Sequence, residues 1–229
     1  KVDFIASHGH TIFHQPENKY TLQIGYGKTI SQLTKITTIN DFRSSDVSLN
    51  GQGAPLVPIG DLLLFPKHKY CINLGGFANI SIKKNGKIIA FDICPANIVL
   101  NNICKELGFE YDYNGDIARE GKIVPTLLQQ LNQLDFYIKK APKSLGREWV
   151  EEHIFPILKN LKSEDLLCTF CEHIAIQICE FLEDESALIT GGGVFNSFLM
   201  ERITLYSKAK IFVPSKELIE FKESLIFAF

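Results

Sequence analysis

The chain has 229 residues, 45% of them hydrophobic and 22% charged, with a formal net charge of −2. That length is enough for one large core or two modest ones, and the near-even charge excludes the basic footprint of a nucleic-acid binder. No apolar run reaches membrane-spanning length and the opening residues do not read as a secretory signal, so a cytoplasmic protein without membrane or nucleic-acid partners is expected.

In chain order, short runs rich in Ile, Val, Phe and Thr, bounded by Gly, Asn or Pro, predict strands at 2–7, 21–24, 36–40, 70–74, 79–84, 87–92, 187–190 and 210–213. Asn85-Gly86 reads as a two-residue hairpin turn between two of them. Helical periodicity is clearest at 97–107, 124–133, 164–182, 197–207 and 216–229. A hairpin group, then helices, then strand–turn–helix units predict an α/β fold with a mixed sheet. The Pro-rich segment 55–66 suggests a boundary near residue 69, giving parts 1–69, 70–214 and a terminal helix 215–229. The chain opens on Lys1 directly ahead of a strand and is still helix-like at 225–229, so a fragment, or a chain processed at both ends, is expected.

The cysteines at 71, 94, 104, 168, 171 and 179 do not form a secreted disulfide framework and read as reduced thiols. Cys168 and Cys171 form one C-x-x-C pair on a helical pattern; no second pair completes a zinc site, so small apolar core residues are the expectation. Ser7-His-Gly-His10 with His14 lacks a carboxylate or thiol to complete a metal set, and no protein-held metal is expected. A polar loop that binds a sugar or orients a neighbour is the better account of His8.

Several segments combine backbone freedom with polar side chains. Asn73-Leu-Gly-Gly-Phe-Ala-Asn79 joins two strands, and its glycines let backbone N–H groups approach a phosphate or form a plain tight turn. Thr190-Gly-Gly-Gly193 lies between a buried strand and a helix start, where bare backbone and the helix dipole suit a nucleotide, although the spacing is neither a P-loop nor GxGxxG. Asp92 stands at a strand end ahead of Pro95, Ala96 and Asn97; it is a carboxylate for a cleft or a helix cap, and Asn97 suits the cap as well. Asp41-Phe-Arg43, Asp46 and Gly51-Gln52-Gly53 join a planar cation to a Gly-rich loop. Pro142-Lys143-Ser-Leu-Gly-Arg-Glu148 is a polar turn before a helix.

Taken in order, Ser-His-Gly-His, Asp-Phe-Arg, Gly-Gln-Gly-Ala-Pro-Leu-Val-Pro, Asn-Leu-Gly-Gly-Phe-Ala-Asn, Phe-Asp-x-x-Pro-x-Asn, Pro-Lys-Ser-x-Gly-Arg-Glu, Thr-Gly-Gly-Gly and the closing 221–229 stretch resemble the anhydro-N-acetylmuramic acid kinase family. The resemblance implies the actin/hexokinase-like (ribonuclease H-like) two-domain fold, with the first domain incomplete here. It implies ATP and Mg²⁺ as cofactors, a small amino sugar as substrate, and a cytoplasmic role in peptidoglycan recycling, and it leaves room for a homodimer. The implied reaction opens the 1,6-anhydro ring with water and phosphorylates O6.

Carried over by motif, Asp92 is the general base, with Glu223 as a second catalytic candidate. Asn73, Gly75, Gly76 and Asn79 fall near the phosphates, Gly191, Gly192 and Gly193 near adenosine, and His8, Arg43, Gln52, Asn97 and Lys143 near the sugar. Two departures stand out. The family's opening Gly-x-Ser-Gly-Thr-Ser-x-Asp-Gly phosphate loop is absent, so little kinase activity is expected of these 229 residues alone. Ile93, Cys94 and Ala96 replace smaller residues and are expected to crowd the cleft or reshape the turn. A catalytically inactive binding protein of the same fold and a different sugar or acetate kinase are the alternatives.

Overall fold

The computed structural model describes residues 1–15, 18–51, 53, 55–159 and 161–229, without the side chain of His14. The chain divides into two compact units, residues 1–64 with 221–229, and residues 65–220.

In the first unit, β1 (Phe4–Ser7) pairs in parallel with β4 (Thr37–Asn40), and β2 (His10–Gln15) pairs antiparallel with β3 (Tyr20–Ile24). The His-rich segment read as a loop is therefore largely a strand; its alternation of polar and apolar residues was masked by the histidines. Helices α1 (Gly27–Thr34), α2 (Ser44–Ser48) and α3 (Val57–Leu64) follow. The segment read as a Pro-rich boundary thus contains α3. Pro58 stands in its first turn, where the missing N–H has no intrahelical partner to lose.

The second unit is built on a five-stranded mixed sheet in the order β7-β6-β5-β8-β9, formed by β5 (Tyr70–Leu74), β6 (Phe77–Lys84), β7 (Lys87–Pro95), β8 (Ser186–Thr190) and β9 (Lys210–Phe212). The first three strands meander antiparallel, and β8 and β9 add in parallel. The result is the mixed α/β sheet that the sequence predicts. Asn85 and Gly86 both hold positive φ, 52° and 72°, as a tight primed hairpin turn requires. β5 is buried on both faces, which explains its unbroken apolar run.

The helices of this unit are α4 (Asn97–Glu106), α5 (Asp116–Glu120), α6 (Pro125–Asn132), α7 (Asp135–Ile138), α8 (Arg147–His153), α9 (Ser163–Cys179) and α10 (Ser197–Tyr206). α9 lies against α4, α5, α6 and α10 and touches β7. It is buried almost all round, so its apolar residues show no single stripe. Cys168 and Cys171 are among its buried residues, and burial pushes both thiols up. His173, wholly buried, is held between the Tyr137 hydroxyl at 2.8 Å and Asn132 Oδ1 at 2.7 Å. The last helix, α11 (Lys216–Ala228), contains the division between units.

Candidate active site

A polar row crosses the sheet of the second unit near the end of β5. Asp92 pairs with Asn79, Asn79 with Asn73, and Asn73 with Thr190. Directly paired residues share a face and sit about 5 Å apart, so the Asp-Ile-Cys, Asn-Leu-Gly-Gly-Phe-Ala-Asn and Thr-Gly-Gly-Gly segments converge at one place. β7 does not end at Asp92 as its sequence suggests. It continues to Pro95 through a bulge: Ala78 pairs with Cys94 and Asn79 with Asp92, leaving Ile93 as the extra residue.

The departures at 93, 94 and 96 fall at and just beyond that bulge. Ile93, Cys94 and Ala96 are wholly buried in the core. The expected crowding of the cleft does not occur, because these side chains fill the interior beneath the turn. Burial pushes the Cys94 thiol well up, so it stays neutral.

Asp92 is half-buried and caps no helix. Its N–H donates to the Lys143 carbonyl at 2.9 Å, and its Oδ2 accepts the Leu145 N–H at 2.9 Å. Burial raises its carboxyl above the ordinary range, and the Leu145 hydrogen bond partly opposes this. The cap reading fails for Asn97 too. Asn97 is the first residue of α4, and no side-chain cap is formed there. The Ala96, Asn97 and Ile98 amides donate instead to the Gly76, Gly75 and Gly76 carbonyls at 2.8, 3.1 and 3.1 Å. Asn97 Nδ2 donates to the Leu74 carbonyl at 3.3 Å.

The two glycine segments meet on the end of β5. Gly191 has φ +89°, and a Cβ there falls 2.6 Å from Asn73 Oδ1 and 2.8 Å from Leu74 N and O. A Cβ on Gly193 falls 2.8 Å from Leu74 Cβ. Gly192 faces open space, with nothing within 4 Å of its Cβ position. Gly75 and Gly76 line a cleft of about 470 Å³ with Asn97, Asn101, Lys105 and Arg147, so cationic and amide groups surround bare backbone.

The Lys143 side chain, expected near the sugar, lies against the main chain of α7. Its ammonium donates to the Phe136 carbonyl at 3.1 Å and the Tyr137 carbonyl at 3.5 Å, and lies 4.4 Å from the centre of the Phe136 ring. Burial lowers its pKa, with Glu180 and Cys94 opposing.

In the first unit, His8, Arg43 and Glu223 form a second cluster. Arg43 Nε and Nη2 lie 3.1 and 2.9 Å from His8 Nε2, and Nη1 donates to the Gly53 carbonyl at 2.5 Å. A guanidinium only donates, so His8 Nε2 accepts and the ring proton is on Nδ1, which meets the Gly9 carbonyl at 3.0 Å. Both ring nitrogens are thus engaged, and His8 orients Arg43. Burial works against the Arg43 charge and Glu223 works for it. Asp46 accepts the Gly53 N–H at 2.6 Å and so shapes the Gly-rich loop. Gln52 lies outside the described residues. The sequence did not single out Leu145, whose part is a backbone N–H with no side-chain signature.

The family model for anhydro-N-acetylmuramic acid kinase matches residues 1–229. The chain belongs to that family. A relative of that name from Pseudomonas fluorescens (strain Pf0-1) is 39% identical over 90% of this chain and 61% of its own length. Relatives of the same name from Crocosphaera subtropica and Bacillus cereus are 36% and 34% identical, over 99% and 89% of this chain and 68% and 60% of their own lengths. The chain thus spans roughly three-fifths of most of these family members' length. Among solved structures, the activator of the 2-hydroxyisocaproyl-CoA dehydratase from Clostridium difficile with bound ADPNP is similar at a TM-score of 0.49 and 16% identity, over 91% of this chain and 83% of that one.

Proposed function

We propose that the protein carrying this chain uses ATP to open 1,6-anhydro-N-acetylmuramic acid with water and phosphorylate O6, yielding N-acetylmuramic acid 6-phosphate and ADP in peptidoglycan recycling. Family membership supports the reaction. The observation that carries it to these residues is the half-buried Asp92 carboxylate, with Oδ2 held by Leu145 N–H. No helix among the described residues is long and apolar enough to cross a membrane. The family's part in peptidoglycan recycling is what supports a cytoplasmic place for the protein.

Asp92 takes a proton from water as the water oxygen attacks the anomeric carbon. The bond from that carbon to O6 breaks, and O6 attacks the γ-phosphorus in line, releasing ADP. A raised carboxyl is a better base than an ordinary aspartate. The open face at Gly192 admits a nucleotide against bare backbone, and the cationic ends of the Gly75–Gly76 cleft, Lys105 and Arg147, suit phosphate or the sugar's lactyl carboxylate.

Among the described residues no group of three or more His, Cys, Asp and Glu surrounds a metal position. Mg²⁺ arriving with the nucleotide would keep water and the substrate phosphates as its ligands. When bound it neutralises phosphate charge. Arg43 and Glu223 serve the sugar and the attacking water.

The test is ADP release with the anhydro-sugar against plain hexoses. Release only with the anhydro-sugar is expected. Hexose turnover points to another sugar kinase, and release with neither points to a binding protein.

A further inference from the structure

Asp92 lies on β7, an edge strand of its sheet, and the main chain of the 143–145 stretch meets it twice: Asp92 N–H donates to Lys143 O, and Leu145 N–H donates to the Asp92 side-chain Oδ2, each at 2.9 Å. What fixes this stretch is the other end of Lys143. Its ammonium sits on the Phe136 and Tyr137 carbonyls at the C-terminal end of α7, where a cation is favoured. The Phe136, Tyr137 and Phe181 rings lie 4.4, 5.8 and 5.9 Å from it. On the far side, Gly146 leads into α8.

We propose that Lys143 is a positioning residue for Asp92: its side chain pegs the 143–145 backbone to α7, and that backbone holds Asp92 Oδ2 so that Oδ1 is the oxygen that receives the proton. This rests on Asp92 being the base, and it replaces a sugar contact for Lys143 with a contact through the main chain.

Besides Asp92 and Lys143, the titratable groups facing this stretch are Cys94, Tyr137, Lys139 and Glu180. Cys94 faces both Asp92 and Lys143, and burial pushes its thiol up. Tyr137 is pushed well up by burial, with Cys94 adding to it. Lys139 and Glu180 act on Lys143, and Lys139 bears the same charge. The Leu145 N–H lowers the Asp92 carboxyl against its burial, so freeing the 143–145 stretch raises the carboxyl further.

The experiment is the pH dependence of kcat, with KM for the anhydro-sugar, for the wild-type protein and for Lys143→Met, Lys143→Arg and Asp92→Asn. Lys143→Met is expected to lower kcat by about 10- to 100-fold, the scale of a catalytic group misplaced by roughly 1 Å. Its acidic limb moves to higher pH, and KM stays within about twofold, as for an interaction made only in the transition state. Lys143→Arg, which keeps a cation for the carbonyls, recovers most of the loss. If Lys143→Met does not fold, Leu145→Pro, which deletes the donated N–H, carries the same prediction. A raised KM with unchanged kcat makes Lys143 a sugar contact, and an unmoved acidic limb removes its hold on Asp92; either overturns the proposal. Turnover in Asp92→Asn instead overturns the base assignment beneath it, and is read independently of the Lys143 variants.

Discussion

Three consecutive glycines at 191–193 have three different surroundings. Gly191 needs its left-handed φ and has Asn73 and Leu74 against it, Gly193 is closed by Leu74, and Gly192 is open. Gly193→Ala is therefore expected to lower stability by about 1–3 kcal/mol, the usual scale of overpacking, and to displace Leu74 at the end of β5. Gly192→Ala should leave the unfolding midpoint unchanged while weakening nucleotide binding. Chemical denaturation with nucleotide titration separates the two; equal losses of stability would remove the distinction. The glycine run itself was plain in the sequence, because glycine between a strand and a helix start has few other uses. The reason for each glycine was not, since it depends on β5, more than a hundred residues earlier. Asp92 was legible as a polar residue at the end of an apolar run. Its holder, a backbone N–H on Leu145, was not, because any non-proline residue supplies that donor.

At the level of elements, α3 and α11 show how a helix pair forms from segments 160 residues apart. A Cβ on Gly60 falls 2.5 Å from Ile226 Cγ1, so the Ile226 side chain lies directly against the α3 backbone. One residue on, Asp61 meets Lys222 at 2.7 Å with both side chains nearly inaccessible. Removing one partner of such a pair leaves a buried charge uncompensated, typically a loss of about 3–5 kcal/mol. Lys222→Met is thus expected to loosen α11 and expose its amides to hydrogen exchange, with Glu223 losing its fixed place beside Arg43. Unchanged exchange along 221–228 would show that the pair does not hold the helix. The periodicity of α11 was legible in the sequence; that Lys222 stands on its buried face with Ile219 and Ile226 was not. α3 was hidden because Pro58 and Gly60 look like breakers, although one sits in the first turn and the other makes room for Ile226.

Across the whole molecule, the mixed sheet, its hairpin and the long helices were legible because β-branched runs and Asn-Gly turns act locally. The short helices α5 and α7 were not, since four or five residues give too little periodicity to detect. Buried polar contacts were hidden for a different reason: His173 reads as any histidine on a helix until Tyr137 and Asn132 enclose it. Burial lowers its pKa from 6.5 to about 3. The unfolded chain then takes up a proton below pH 6.5 that the folded chain refuses, so stability falls as pH drops from 6.5 towards 3, by up to about 1.4 kcal/mol per unit. His173→Gln should flatten that slope in denaturant unfolding at pH 7, 6 and 5, and an equally steep slope would place the acid sensitivity elsewhere. The account as a whole turns on one carboxylate, and Asp92→Asn in the protein carrying this sequence tests it most directly. The substitution keeps size and shape while removing the base, so turnover of the anhydro-sugar should fall by about 10²–10⁴-fold or more with ATP affinity unchanged. Turnover within a few-fold of wild type would contradict the central claim.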